Sequence, residues 1–171
     1  MTIEEAIQTA LEYENRVHAA YLVAAKRAED ATAKRVFTVL ADEERGHITY
    51  LQARLLEWQR EGHLSEPTLR SALPSAERIQ AGIKRLRSKV RQSGSSATDL
   101  IEALRQALAA EDETSSFYGQ MVAELPKEGR ALFARFLEIE TGHSALAQAE
   151  LDSLTKSGFC FDVEEFELEA G

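Results

Sequence analysis

The sequence is short of several things, and each shortage excludes a class of protein. A single cysteine, Cys160, rules out an internal disulfide, and with no CxxC pair there is no thiolate set for structural zinc or a mononuclear iron centre. Only 3 prolines and 9 glycines occur in 171 residues, too few for collagen-like or low-complexity chains. Aromatic residues make up 7%. No apolar run approaches the roughly 18 residues of a membrane-spanning helix, and the start MTIEEAIQTALEYEN is acidic where a secretory signal is basic. Basic residues are outnumbered 20 to 29, giving a net charge of -9 that repels phosphate backbones and anionic membranes. The expectation is a cytoplasmic protein that binds neither nucleic acid nor membrane.

What is present favours helix. Ala, Leu, Glu, Arg and Gln dominate, and these have the highest intrinsic helix propensities. Thr2 followed by Glu5 is a capping-box signature, and Ile3, Ile7, Ala10, Leu11, Val17, Tyr21 and Ala24 then recur at helical spacing, predicting a helix over about 3–29. After the polar break at Glu29 to Thr32, the period resumes through Phe37, Leu40, Ile48, Leu51 and Leu55 to a C-cap at Gly62. The stretch 63–97, with Pro67, Pro74, Gly94 and a serine run, reads as a connector containing a short basic amphipathic helix near 75–92. Thr98 and Asp99 cap a third long helix, Leu125 to Lys127 break it, and a fourth runs over about 128–156 to Gly158. The last segment, 158–171, is an edge piece or tail. The chain is therefore expected to be one all-α domain. Its hairpins span about 3–62 and 98–157, joined by one long crossover in a four-helix bundle.

The two hairpins repeat one another. LEYENRVHAAY from Leu11 lies over LAAEDETSSFY from Leu108, matching Glu14 with Glu111 and Tyr21 with Tyr118. Further on, FTVLADEERGHITYLQARL from Phe37 lies over FARFLEIETGHSALAQAEL from Phe133, matching Glu44 with Glu140, Gly46 with Gly142 and His47 with His143. In an antiparallel hairpin, residues equally far from the turn meet at one level, so all four glutamates belong at mid-bundle. Glu and His at i and i+3 share a helix face, which turns Glu44 with His47, and Glu140 with His143, the same way. If that face is inward, four carboxylates and two imidazoles converge.

Burying even one uncompensated charge costs several kcal/mol, so such a cluster needs a positive partner. Two divalent ions balance four carboxylates, and one Glu from each of two helices plus Glu-x-x-His from the other two is the ligand set of di-iron and di-manganese bundles. Magnesium or calcium has no need of the imidazoles, whereas zinc can substitute. The competing reading is a duplicated bundle that carries these residues on a solvated surface.

These residues resemble the ferritin-like superfamily, and within it the rubrerythrin di-iron domain, over nearly the whole chain outside parts of the connector and the tail. The resemblance implies that Glu44 and Glu140 bridge two iron ions, that Glu14 with His47 completes one site, and that Glu111 with His143 completes the other. It implies an oxidoreductase that reduces peroxide or dioxygen. A ferroxidase and a non-enzymatic metal-binding bundle are the alternatives. Tyr21 and Tyr118 match tyrosines beside such centres, and they read equally well as buried aromatic residues with a satisfied hydroxyl. His18, one turn beyond Glu14, is read as a neighbour of the ligands or as plain surface. Rubrerythrins usually carry one more glutamate three residues after the third ligand; here Thr114 stands there, with Glu113 on another face. They also often append a rubredoxin-like domain with paired CxxC motifs. None is present, so electrons would come from a separate protein such as a rubredoxin. A homodimer is expected, and the recurrence of Gly46 and Gly142 inside helices suggests close helix contact, with a contact between subunits as one form of it.

Overall fold

The computed structural model describes residues 1–86 and 98–157, with side chains described to position 81 and from 98 to 156. The side chains of the basic run from Lys84 to Arg91, and the whole of the segment 158–171 with Cys160, lie outside that description. Among the described residues there are five helices and no strand: α1 (Ile3–Arg27), α2 (Ala31–Glu61), α3 (Ala76–Leu86), α4 (Thr98–Glu124) and α5 (Lys127–Ser157). The all-helical expectation holds. No helix here is long and apolar enough to cross a membrane.

Local chemistry sets the helix limits. The Thr2 hydroxyl accepts from the Glu5 amide at 3.2 Å, and the Glu5 carboxylate accepts from the Thr2 amide at 2.8 Å, so the capping box is complete. α1 stops two residues earlier than its apolar period suggests, because the Asp30 carboxylate accepts from the Ala33 amide at 2.8 Å and starts α2 there. Gly62 ends α2 in the left-handed region at φ 69°, donating its amide to the Trp58 carbonyl. The connector helix starts at Ala76 as its apolar face suggests, and its expected continuation beyond 86 lies outside the described residues.

α1 packs along α2, α4 along α5, and α1 against α4, while α3 lies on α5. The apolar core falls into two parts. One contains Val17, Tyr21, Val36, Phe37, Leu40, Leu104 and Leu146, and the other contains Ile7, Ala10, Leu51, Tyr118, Met121, Phe133 and Phe136. Between them lies a layer of buried polar side chains.

Candidate metal centre

That layer is made by Glu14 of α1, Glu44 and His47 of α2, Glu111 of α4, and Glu140 and His143 of α5, each 0–1% exposed. All six residues singled out from the repeat therefore face inward, and the solvated-surface reading fails. Glu44, His47, Glu140 and His143 each offer a ligand atom within 4.8 Å of the others. Glu14 and Glu111 flank that group.

The contacts cross between helices in a near-symmetric way. His47 Nδ1 lies 3.0 Å from Glu140, 3.2 Å from Glu14 and 3.3 Å from Glu44. His143 Nδ1 lies 2.6 Å from Glu44 and 3.4 Å from Glu140. The two imidazoles are parallel, with centroids 5.2 Å apart. Tyr21 of α1 donates its hydroxyl to Glu111 of α4 at 2.6 Å, and Tyr118 of α4 donates to Glu14 of α1. Both tyrosines thus touch the ligand set. His18, by contrast, is half-buried and takes part in none of these contacts. Thr114 is buried and donates its hydroxyl to the Ala110 carbonyl, and Glu113 points outward to Arg16 at 3.1 Å. The place of a further glutamate ligand is therefore filled by a hydroxyl turned back on its own helix.

Each Nδ1 carries at most one proton, so two imidazoles cannot serve five short contacts to carboxylates. The result is a set of buried acceptors with no hydrogen bond: Glu44 Oε2, Glu111 Oε2 and both oxygens of Glu140. Among the described residues no lysine or arginine pairs with any of the four glutamates. Orphaned acceptors converging with imidazoles, and no lysine or arginine among the described residues to meet them, form a donor set suited to transition ions. The residues fit such a group. The other acidic cluster, Glu57, Glu61 and His63, faces solvent, and Arg54 already neutralises Glu57 at 2.8 Å.

Electrostatics divides the six into three pairs. Burial, reinforced by repulsion from Glu140 and Glu44, pushes Glu14 and Glu111 well above the usual carboxyl range. Burial also works against ionisation of Glu44 and Glu140, but the facing imidazoliums and their hydrogen bonds outweigh it and hold both low. For His47 and His143, burial disfavours the cation, yet the surrounding carboxylates raise both pKa values well above 6.5. In the absence of other charges, protonation is thus favoured on the two imidazoles and on Glu14 and Glu111, and disfavoured on Glu44 and Glu140. Tyr21 and Tyr118, raised by burial and by the adjacent carboxylates, stay protonated as donors.

One residue escaped the sequence. Glu43 accepts from the Ser71 hydroxyl at 2.6 Å and the Ala72 amide at 3.3 Å, and its Oε2 lies 3.8 Å from His143 Nε2. Its pKa is lowered to about 2: burial would raise it, but the nearby His143 imidazole and the hydrogen bonds from Ser71 and Ala72 prevail. The repeat that exposed the other six hid this one, because its counterpart is Ile139. The paired glycines also part company. A Cβ on Gly142 would sit 3.3 Å from the Pro74 carbonyl oxygen, so a close approach exists there, made by the non-helical connector and not by the helix expected. Gly46 has nothing within 4 Å, so no close approach exists at that position within the described chain.

No family model matches the chain, and no curated protein matches it. Among solved structures it is similar to the hypothetical protein Pfu-1136390-001 from Pyrococcus furiosus, with 21% identity, 91% of each chain covered and a TM-score of 0.59. At that identity the likeness speaks for the helical fold alone.

Proposed function

We propose that this chain is a ferritin-like bundle of two helical hairpins joined by one long crossover, working as a rubrerythrin-type di-iron oxidoreductase that reduces peroxide or dioxygen. The observation that carries the reading is the buried convergence of four glutamates and two histidines with orphaned acceptors and, among the described residues, no lysine or arginine paired with them. Two iron ions held by Glu14, Glu44, His47, Glu111, Glu140 and His143 would supply electrons and Lewis acidity for cleaving an O–O bond. Manganese or zinc would fit the same donors.

The chain's own contribution is positioning and exclusion of water. The apolar halves above and below the layer keep solvent out, which strengthens every charge interaction within it. Tyr21 and Tyr118 hold the outer glutamates in place through their hydroxyls. Reduction of peroxide to two waters consumes two electrons and two protons. Those electrons would come from a separate donor protein such as a rubredoxin.

The test is anaerobic loading of the full chain with ferrous iron, followed by stopped-flow mixing with peroxide or dioxygen. About two irons per chain are expected, and none in Glu44→Ala/Glu140→Ala. Oxidation much faster with peroxide supports the proposal. Faster reaction with dioxygen, with iron accumulating beyond the two sites, would replace it by a ferroxidase, and unchanged iron content in the double variant would defeat the site assignment.

A further inference from the structure

The repeat makes the inner faces of the two histidines alike, but their outer faces differ. On the outer side of His143 lies the connector. Its Leu69 carbonyl accepts from Arg135 Nε at 2.9 Å, its Ser71 and Ala72 are bound by Glu43, and Pro74 lies against Gly142. Glu43 is thereby fixed between the connector and His143, with its carboxylate the polar group that Nε2 faces. The 3.8 Å separation is beyond hydrogen-bond length, so the pair is poised rather than bonded.

On the outer side of His47 the arrangement is open. A surface pocket of about 630 Å³ is bordered by Gly46, His47, Tyr50, Thr68 and Arg70. Glu43 also borders this pocket, but its carboxylate is committed to Ser71 and Ala72. His47 Nδ1 is turned to the glutamates, and its Nε2, like that of His143, has no hydrogen-bond partner; the difference between the two is that the carboxylate contacts of His47 are all at Nδ1, whereas Glu43 faces Nε2 of His143.

An imidazole that binds a metal through Nδ1 must carry its proton on Nε2. A carboxylate facing that proton fixes the tautomer and ring orientation and makes the ligand more basic, and loss of such a partner typically costs 10–100-fold in metal affinity. We propose that the two halves of the centre are inequivalent: the connector, acting through Glu43, makes the His143 half the tight site for a divalent transition ion. The His47 half, open at Gly46, is the weak one. Glu43 is a positioning residue, since it acts through His143 and not on the ion. This inference rests on the metal-centre reading above.

The experiment is equilibrium titration of the metal-free full chain with cobalt(II), followed by d–d absorption and calorimetry. Wild type should show two classes of site. His143→Ala should remove the tight class and His47→Ala the weak one. Glu43→Gln, whose single oxygen still accepts from the Ala72 amide while its NH2 turns to the Ser71 hydroxyl as donor, removes the charge facing His143 and should weaken the tight class about 10–100-fold, leaving the weak class where it was. Ser71→Ala, which removes one donor to Glu43 and an acceptor for the Leu73 amide, should move the tight class the same way by less. A purely structural role for Glu43 would shift both classes together. Two equal sites in wild type, loss of the tight class in His47→Ala, or a Glu43→Gln curve superimposable on wild type would each overturn the inference while leaving the centre intact. Failure of wild type to take up any cobalt would overturn the metal centre itself, and the inference with it.

Discussion

The hydroxyl of Tyr21 in α1 donates to the Glu111 carboxylate of α4 at 2.6 Å, and the repeat returns the contact, with Tyr118 of α4 bonded to Glu14 of α1. α1 and α4 thus each hold a buried glutamate of the other. All four groups are fully buried. Removing one hydroxyl leaves a carboxyl oxygen without its donor, which costs about 1–3 kcal/mol. Tyr21→Phe and Tyr118→Phe should each lower stability by that amount in urea unfolding of the metal-free protein. Equal stability of either variant and wild type would show that the hydroxyls do not tie the hairpins together.

Metal uptake should release protons. Burial and repulsion from Glu140 and Glu44 favour the protonated forms of Glu14 and Glu111, and the surrounding carboxylates, against burial, favour those of His47 and His143. Ligation requires neutral imidazole and ionised carboxylates. Filling both sites near neutral pH should therefore displace up to about four protons. Calorimetry in buffers of different ionisation enthalpy measures the number directly. Release of none would mean that the cluster is already deprotonated before the ions arrive.

The same shifts fix the pH dependence of stability. Glu14, Glu111, His47 and His143 all have folded pKa values above their unfolded ones, so the folded state binds more protons and stability falls as pH rises. The fall begins above about pH 4.5 for the two glutamates and above about 6.5 for the histidines. Glu43, Glu44 and Glu140 are shifted the other way, and their contribution is lost only below about 4.5. Metal-free protein should melt at progressively lower temperature from pH 5 to pH 9, by about 1.4 kcal/mol per pH unit for each proton retained on folding. Added divalent ion should restore the loss, with the gap widening towards alkaline pH. Thermal melts across that range, with and without metal, decide the matter, and a flat metal-free profile would contradict the assigned charge states.

How much of this was legible in the sequence follows from what a repeat can and cannot say. Helical period placed the four long helices to within about two residues, the usual uncertainty of helix ends. The duplicated Glu and Glu-x-x-His placed all six inner side chains, because identical helix faces repeated in two hairpins must meet the same core. Duplication is blind to what differs between the halves. Glu43 opposite Ile139 carries no repeat signal, and the connector that gives Glu43 its role belongs to neither hairpin. Reading Gly46 and Gly142 as equivalent failed for the same reason, since the element that approaches Gly142 occurs only once.

The two glycines allow that asymmetry to be measured without metal. A glycine inside a helix costs about 1 kcal/mol relative to alanine, so either replacement has the same intrinsic gain. At Gly46 the added methyl meets nothing within 4 Å, and the whole gain should appear as higher stability. At Gly142 the methyl would press on the Pro74 carbonyl oxygen at 3.3 Å, a backbone atom held by the packing of α3 on α5, which cannot turn aside as a flexible side chain would. Gly142→Ala should therefore destabilise the protein, or at best leave it unchanged, while Gly46→Ala stabilises it by about 1 kcal/mol. Denaturant midpoints of the two variants make the comparison. Equal gains at both positions would mean that the connector does not press on α5 at Gly142, and Glu43 would then lose the support that the connector gives it.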